Sequence, residues 1–378
     1  MKRLILFPLF LYCVTVFAQM NDREKMIMKQ VAEAVQKIES SDLIIKNDSL
    51  TNYINSVALK LFGREIIDKY KIDIKIIRDK DFNAFAFPDG HIYIHSGLLG
   101  QMDNEAQLAA LIGHESIHVI NGHAFKGSKN LEDKANSIAL LNILTAGIGG
   151  GLIGLAGSIT GELSIYGYAR DLETEADVFG LDYYIKAGYD PNESTVLFQH
   201  LIDQLKANKI EEPYYYSTHP KLSSRIEKYK ELLNKNYRNV KSDFKNETVF
   251  YNNASFIIAL SAEMMIAANQ PQFAKKSIGR LLDRDSLSAN NWYLRAEMQR
   301  KLSANAESDS VVSLYSKSIS CDSTFAPSLK RLGVIHYKKK DYRKCVEYLE
   351  KYFVMVPDDK DRKFLQSYID KSKKEINL

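Results

Sequence analysis

Two histidines, His114 and His118, lie four residues apart in a stretch whose pattern predicts a helix. Asn104 and Gln107 form a capping pair of the kind that opens a helix, and apolar residues at helical spacing follow them. On a helix, residues four apart lie about 40° apart around the axis, so both imidazoles point the same way. The spacing therefore predicts a helix that ends near Gly122 and can present two nitrogen atoms to one metal ion.

The residue after the first histidine is acidic. Glu115 lies beside the two imidazoles, where its carboxylate can act as a general base on an attacking water. Two histidine ligands with an adjacent glutamate form the arrangement of the zincins, which use zinc. We therefore predict one Zn²⁺ per chain, bound by His114 and His118, with Glu115 as the catalytic base.

A catalytic zinc site takes three protein ligands and keeps one position open, so a third ligand is needed. His123 is the nearest candidate in the sequence. It follows His118 by five residues, which places it on another face unless the helix unwinds at Gly122. We therefore favour a ligand from elsewhere in the chain.

An acidic stretch further along the chain offers that ligand. Glu173 and Asp177 share one face of a helix predicted from about Leu172 to Ala187, whereas Glu175 points nearly opposite. Glu173 could complete the zinc site, and Asp177 could accept a hydrogen bond from a ligand histidine, as outer carboxylates commonly do. Taken alone, this stretch could also be a solvated acidic helix face.

The segments around these residues resemble the gluzincin metallopeptidases related to HtpX and to the CAAX prenyl endoprotease. The resemblance covers about residues 45–230. It rests on the segments 83–90, 96–99, 114–123, 170–177, 187–191 and 217–220. It implies a zincin-type fold, a zinc ion on three protein ligands, and hydrolysis of peptide bonds in protein or peptide substrates.

The resemblance also implies roles for single residues. Beside Glu115 as the base, it implies Glu173 as the third zinc ligand and Asp177 as a residue that orients a ligand. It places His219 near the zinc, where a histidine is implicated in latency or in stabilising the transition state. Pro220 disfavours helix at His219, which suits a loop side chain that reaches into a cleft.

The remaining pattern of this region predicts an α+β fold that is mostly α. Residues 22–62 indicate helices, Ile72–Ile77 alternates like a half-buried strand, and two strand-like runs flank the turn Pro88–Gly90. We expect a zincin-type metalloprotease domain over residues 19–240, with its core at 45–230 and a small β-hairpin or sheet. The hairpin could supply an edge strand that pairs with an extended substrate.

From about residue 250 the chain repeats itself with a period near 34, the length of a tetratricopeptide repeat. The best copy starts at Ala326, and weaker copies start near Ala289 and Ser255. Consensus positions of the best copy are held by Leu329, Leu332, Gly333, Cys345, Leu349 and Pro357. We expect an all-α tetratricopeptide-repeat domain over 250–378, with a generic helical bundle as the alternative. The layout resembles that of periplasmic members of the family that carry such repeats. This resemblance implies that the repeats recruit envelope or outer-membrane assembly proteins.

The first residues of the chain predict export. Two basic residues precede an apolar run that ends at Ala18, a pattern typical of a secretory signal peptide over 1–18. Cleavage there would place the protein in the periplasm or at the membrane periphery, and an uncleaved anchor is the alternative. Export would also permit a disulfide between Cys321 and Cys345, although the sequence does not pair them.

Residues 135–161 contain no charged residue and are rich in glycine. By length such a segment could span a bilayer, but the glycines argue against one regular helix. We expect a buried helical hairpin, with membrane contact or a mobile lid as alternatives.

The charge balance excludes one class of partner. Lys and Arg number 51 against 47 Asp and Glu, a surplus too small to indicate nucleic acid. We expect an exported zinc metalloendopeptidase of envelope protein quality control. The alternatives are a latent protease that acts mainly as a chaperone-like binding module, and a membrane-embedded peptidase.

Overall fold

The computed structural model describes residues 20–129, 170–207 and 222–376 of the chain. The chain forms two compact units, which divide between Asn253 and Ala254. In the described residues the first unit combines helices with one small sheet and the second is built from helices, which confirms the predicted fold class. The predicted signal peptide, the uncharged segment 135–161 and His219 lie outside the described residues.

The sheet belongs to the first unit. Its strands are β1 (Asp73–Ile77), β2 (Ala84–Ala86) and β3 (His91–His95), in the spatial order β1-β3-β2. β2 and β3 pair antiparallel, which confirms the predicted hairpin, and β1 pairs parallel with β3. Strand alternation turns Ile74 and Ile76 into the core. β2 is left at an edge of the sheet in the described residues.

The helices of the first unit surround one central helix. They are α1 (Asp22–Glu39), α2 (Asp48–Tyr70), α3 (Ser96–Leu99), α4 (Glu105–Ile120), α5 (His123–Lys129), α6 (Arg170–Lys186), α7 (Glu193–Ala207) and α8 (Leu222–Asn236). α4 packs against α2, α6, α7 and β2, and its apolar residues Leu108 and Ile112 are fully buried. Because α4 carries both histidines of the predicted site, this packing places them in the interior.

Side chains from distant parts of the chain hold the start of α4. The side chain of Asn104 accepts a hydrogen bond from the backbone nitrogen of Gln107, as the capping pair predicted. The side chains of Asn104 and Gln107 both donate to Glu193, at the start of α7. Lys245 forms a 2.6 Å ion pair with the same carboxylate. Glu193 therefore connects the starts of α4 and α7 with the segment that contains Lys245.

The second unit follows from within α9 (Glu247–Ala267). Its further helices are α10 (Pro271–Arg284), α11 (Ala289–Leu302), α12 (Asp309–Cys321), α13 (Ala326–Lys338), α14 (Tyr342–Met355) and α15 (Arg362–Ile376). α11 and α13 begin at the residues where two of the predicted repeats begin. The third predicted copy, near Ser255, starts inside α9 instead. Among the described residues, only α9 is long and apolar enough to cross a membrane, a property that core helices of soluble proteins share.

Two predicted packing positions of the repeats are buried between α13 and α14. A Cβ atom on Gly333 would lie 2.5 Å from the side chain of Leu349, so the two helices approach closely there. Cys345 is fully buried. Cys321 and Cys345 are both free thiols, so the disulfide that export would permit is not formed.

Candidate metal centre

Helices α4 and α6 bring the three predicted zinc ligands together. His114 and His118 lie one turn apart on α4, and their Nε2 atoms are 3.1 Å apart. Glu173 lies in the first turn of α6, with Oε2 3.6 Å from Nε2 of His114 and Oε1 3.5 Å from Nε2 of His118. The three ligand atoms lie within 4.8 Å of one another, and all three side chains are buried. The three side chains thus converge on one point in the interior.

The separations fit a bound transition metal. Zinc holds imidazole nitrogen at about 2.0–2.1 Å, so two nitrogen ligands of a tetrahedral site lie about 3.3 Å apart. The observed separations of 3.1, 3.5 and 3.6 Å are close to that value. Two imidazoles and one carboxylate also leave a fourth position open, as catalytic sites require. This donor set suits several divalent transition metals, so the geometry indicates a metal site without selecting the metal.

A buried ion pair lies behind His114. Nδ1 of His114 is 2.9 Å from Oδ1 of Asp177, and Nη2 of Arg225 donates to the same oxygen at 2.8 Å. A histidine that binds metal through Nε2 carries its proton on Nδ1, so Asp177 can accept that hydrogen bond and hold the ring. Asp177 therefore lies where a residue that orients His114 is needed.

Sequence analysis missed Arg225. It belongs to α8, where it shares the buried stripe of Leu222, Ile226 and Tyr229, and it is only 6% exposed. Its guanidinium carbon lies 4.5 Å from the centre of the Phe198 ring. An arginine within the apolar stripe of an amphipathic helix is the signal that could have indicated a buried carboxylate partner.

The ion pair shifts the titration of both partners. Burial alone would raise the pKa of Asp177, but the charge of Arg225 and the hydrogen bond from His114 outweigh it and hold the pKa well below its usual range. Burial would lower the pKa of Arg225, but the Asp177 carboxylate raises it further above its usual value. Both groups are charged at neutral pH, so His114 faces a carboxylate rather than a carboxylic acid.

The third acidic side chain, Glu175, points away from the converging ligand atoms, as the helix spacing predicted. Its Oε1 accepts a hydrogen bond from Nδ2 of Asn121 at 2.5 Å and lies 3.3 Å from Nζ of Lys126. His123 is fully buried, and burial lowers its pKa. Its Nδ1 lies 2.9 Å from Nδ1 of His118, the nitrogen turned away from the ligand cluster. His123 therefore lies behind a ligand and does not join the converging atoms.

Glu115, the predicted base, follows His114 on α4 and is 3% exposed. It is buried in the same helical turn as His114 and His118. Its catalytic role stays a prediction, as does that of His219, which lies outside the described residues.

Comparison with known proteins identifies the family to which this site belongs. The family model described as peptidase family M48 matches residues 45–233, which is half of the chain. The chain belongs to peptidase family M48. The match contains the sheet, the central helix and all the residues of the metal centre described above.

Several curated proteins are similar to this M48 chain. The beta-barrel assembly-enhancing protease of Escherichia coli K12 is 28% identical over 198 residues, covering 51% of this chain and 40% of that protein. A putative beta-barrel assembly-enhancing protease of Vibrio cholerae is 32% identical over 205 residues, covering 51% and 41%. The mitochondrial metalloendopeptidase OMA1 of Schizosaccharomyces pombe is 26% identical over 218 residues, covering 56% and 61%. The chain thus matches less than two thirds of the length of each of these relatives.

Proposed function

We propose that the chain is a zinc-dependent endopeptidase that cleaves protein or peptide substrates. The convergence of His114, His118 and Glu173 on one buried point, with Glu115 in the same helical turn, carries this proposal. Catalytic zinc sites use three ligands of these types and keep a fourth position open. The names of the relatives, protease and metalloendopeptidase, support a peptide bond as the substrate.

The residues of the site then divide the chemistry between them. When bound, zinc would supply the Lewis acidity that polarises a carbonyl and eases deprotonation of water. Glu115 takes the proton from the attacking water and passes it to the leaving amine. Asp177 and Arg225 hold the ring of His114 in one orientation. Because the ligands are buried, their electrostatic interactions are little screened by water.

The edge strand β2 offers a place for an extended substrate. β2 lies at the edge of the described sheet and packs against α4. A peptide that added a strand there would be held through main-chain hydrogen bonds, which are independent of its sequence.

Substitution of the base tests this function. Purified wild-type protein should contain about one zinc ion and cleave casein, whereas Glu115→Gln should keep the zinc and lose cleavage. Glu65→Gln, at an exposed position of α2, is the control for loss of a helical carboxylate and should behave like wild type. Full activity in Glu115→Gln, or a wild-type chain that binds no zinc, would contradict the proposal.

We further propose that the protein acts outside the cytoplasm, in envelope protein quality control, with the second unit recruiting clients as tetratricopeptide repeats do. The signal-peptide pattern of residues 1–18 and the helix starts at Ala289 and Ala326 support this role. Mass spectrometry of the mature protein should find Gln19 first, and intact Met1 on cytoplasmic protein would contradict export. A carbonate wash of membranes tests whether residues 135–161 embed the protein in the membrane, because it releases a soluble protein and leaves an embedded one behind.

His219 is proposed either to block the open metal position or to stabilise the transition state. The family resemblance and the loop-favouring Pro220 support this role. His219→Ala separates the cases, since higher basal cleavage indicates a plug and lost cleavage with zinc retained indicates transition-state stabilisation. Unchanged zinc content and cleavage would contradict both.

A further inference from the structure

The helix that carries His114 and His118 is interrupted directly after its last residue, and the histidine that follows the break contacts His118. α4 ends at Ile120, and Gly122 adopts φ +62°, a left-handed conformation that suits glycine. α5 begins at the next residue, His123. Because α4 ends before Gly122, helical spacing no longer holds His123 on a different face from His118, and the two rings can approach each other. The two rings lie edge to face, with centroids 4.9 Å apart.

The contact is made through the nitrogen of His118 that the metal does not use. Nε2 of His118 faces the ligand cluster, where it lies 3.1 Å from Nε2 of His114. Nδ1 of His118 points the other way and lies 2.9 Å from Nδ1 of His123. A neutral imidazole that offers the Nε2 lone pair to a metal carries its single proton on Nδ1. His118 can therefore donate a hydrogen bond toward His123.

The hydrogen bond from His118 also determines which nitrogen of His123 carries its proton. To accept the hydrogen bond from His118, Nδ1 of His123 must be bare, so its own proton lies on Nε2. That Nε2 atom faces Oε1 of Glu175 at 3.6 Å. Glu175 is held in place by Asn121, which donates to it at 2.5 Å, and by the Lys126 ammonium group. The charge of Glu175 therefore favours a proton on the near nitrogen of His123.

We propose that His123 is a positioning residue for the metal centre, because its Nδ1 accepts a hydrogen bond from the Nδ1–H group of His118 while its Nε2 faces the Glu175 carboxylate. This inference rests on the zinc site proposed above. Each ligand histidine then has an outer partner, because Asp177 with Arg225 serves His114 in the same way. Outer partners of this kind orient the ligand ring and raise its basicity, so their loss weakens metal binding.

The first test measures the zinc dissociation constant of the full-length chain by competition with a chelator. His123→Phe keeps an aromatic ring at this position but has no acceptor, and we expect it to bind zinc about 10–100-fold more weakly than wild type. His123→Asn can place an acceptor oxygen where Nδ1 was, and it should recover most of the lost affinity. His336→Phe makes the same change at a buried histidine of the second unit and should bind zinc like wild type.

The pattern of affinities separates this inference from the proposed function. A wild-type chain that binds no zinc would overturn the zinc site itself. Zinc binding by wild type together with equal affinity in folded His123→Phe would overturn only the role of His123. Equal loss in His123→Phe and His123→Asn, with both folded by circular dichroism, would assign His123 to packing and also overturn it.

A second test needs no substitution. In the zinc-loaded wild type, labelled with ¹⁵N-histidine, long-range proton–nitrogen spectra report which ring nitrogen of each of the eight histidines carries a proton. We expect His118 protonated at Nδ1 and His123 protonated at Nε2. A proton on Nδ1 of His123 would remove the acceptor and overturn the proposal.

Discussion

The backbones of Gly113 and Gly180 touch where α4 crosses α6. A Cβ atom on Gly180 would lie 2.9 Å from the carbonyl carbon of Gly113 and 2.9 Å from the nitrogen of His114. Gly113 directly precedes His114, and Gly180 lies about two helical turns after Glu173, on the same face. The absence of both side chains lets the helices approach closely enough for the Glu173 carboxylate to reach the imidazoles.

Replacing Gly180 with alanine should lower stability and weaken metal binding together. The new Cβ would press on backbone at 2.9 Å, so the helices must separate. Overpacking of this kind costs about 1–3 kcal/mol, and the roughly 1 kcal/mol that alanine gains in helix propensity offsets part of it, which leaves a net loss of up to about 2 kcal/mol. Thermal unfolding and chelator competition measure the two effects.

Gly279→Ala is the matched control for this change. Nothing lies within 4 Å of the Cβ position of Gly279 in α10, so alanine should be neutral or stabilising there. A Gly180→Ala protein that melts and binds zinc like wild type would show that the close crossing does not position Glu173.

Removing Glu173 should affect zinc far more than removing Glu175. Glu173→Ala deletes a carboxylate that lies 3.5 and 3.6 Å from the two imidazole nitrogens. Glu175 faces His123 rather than the converging ligand atoms, so Glu175→Ala should cost no more than the roughly 10–100-fold expected for an outer partner. Zinc content after dialysis and chelator competition give the comparison. Equal loss in the two variants would contradict the assignment of Glu173 as the ligand.

Asp177→Asn should destabilise the protein strongly. The change leaves Arg225 buried, at 6% exposure, without the carboxylate that balances its charge. Breaking a buried ion pair in this way costs about 3–5 kcal/mol, which urea unfolding can measure. The exposed pair of Lys351 and Glu347 is the control, since Glu347→Gln should change the free energy of unfolding by less than about 1 kcal/mol. Similar effects at both pairs would contradict a buried ion pair.

The carboxylate of Glu193 should make stability depend on pH. Burial alone would raise its pKa, but hydrogen bonds from Asn104, Lys245 and Gln107 outweigh burial and hold the pKa below its usual value. A carboxylate whose folded pKa is lowered stabilises the fold fully above its unfolded pKa near about 4.3. That stability is lost as the pH falls from there through the folded pKa.

Glu193→Gln should therefore lower the free energy of unfolding at pH 7 by about 1–3 kcal/mol and flatten its decline below about pH 5. Urea unfolding across a pH series measures both quantities. Glu65→Gln removes an exposed carboxylate of α2 and should leave the pH dependence as in wild type. An unchanged pH dependence in Glu193→Gln would show that this carboxylate does not stabilise the start of α4.

Local spacing was sufficient to predict that His114 and His118 face the same way, whereas Glu173 was predicted because a catalytic zinc site needs a third ligand and because of the family resemblance. His114 and His118 face one way because residues four apart share a side of any α-helix, whatever surrounds it. The same rule placed Glu173 and Asp177 on one face and turned Glu175 away. The turn before β3 and the cap of α4 were also predictable, because turn and cap residues act on their immediate neighbours.

Other features of the centre depend on surfaces that meet only in the folded chain. Arg225 reaches Asp177 across 48 residues of sequence, and Gly113 meets Gly180 on a separate helix. His123 was expected on another face unless the helix unwound at Gly122, and the left-handed Gly122 after α4 meets that condition and lets His123 contact His118. Helical periodicity was readable in the amino acids alone because it arises from backbone hydrogen bonds within one segment. Which helices cross, and at what distance, followed from packing the whole core at once, so the contacts of Arg225 with Asp177 and of His123 with His118 became visible only in three dimensions.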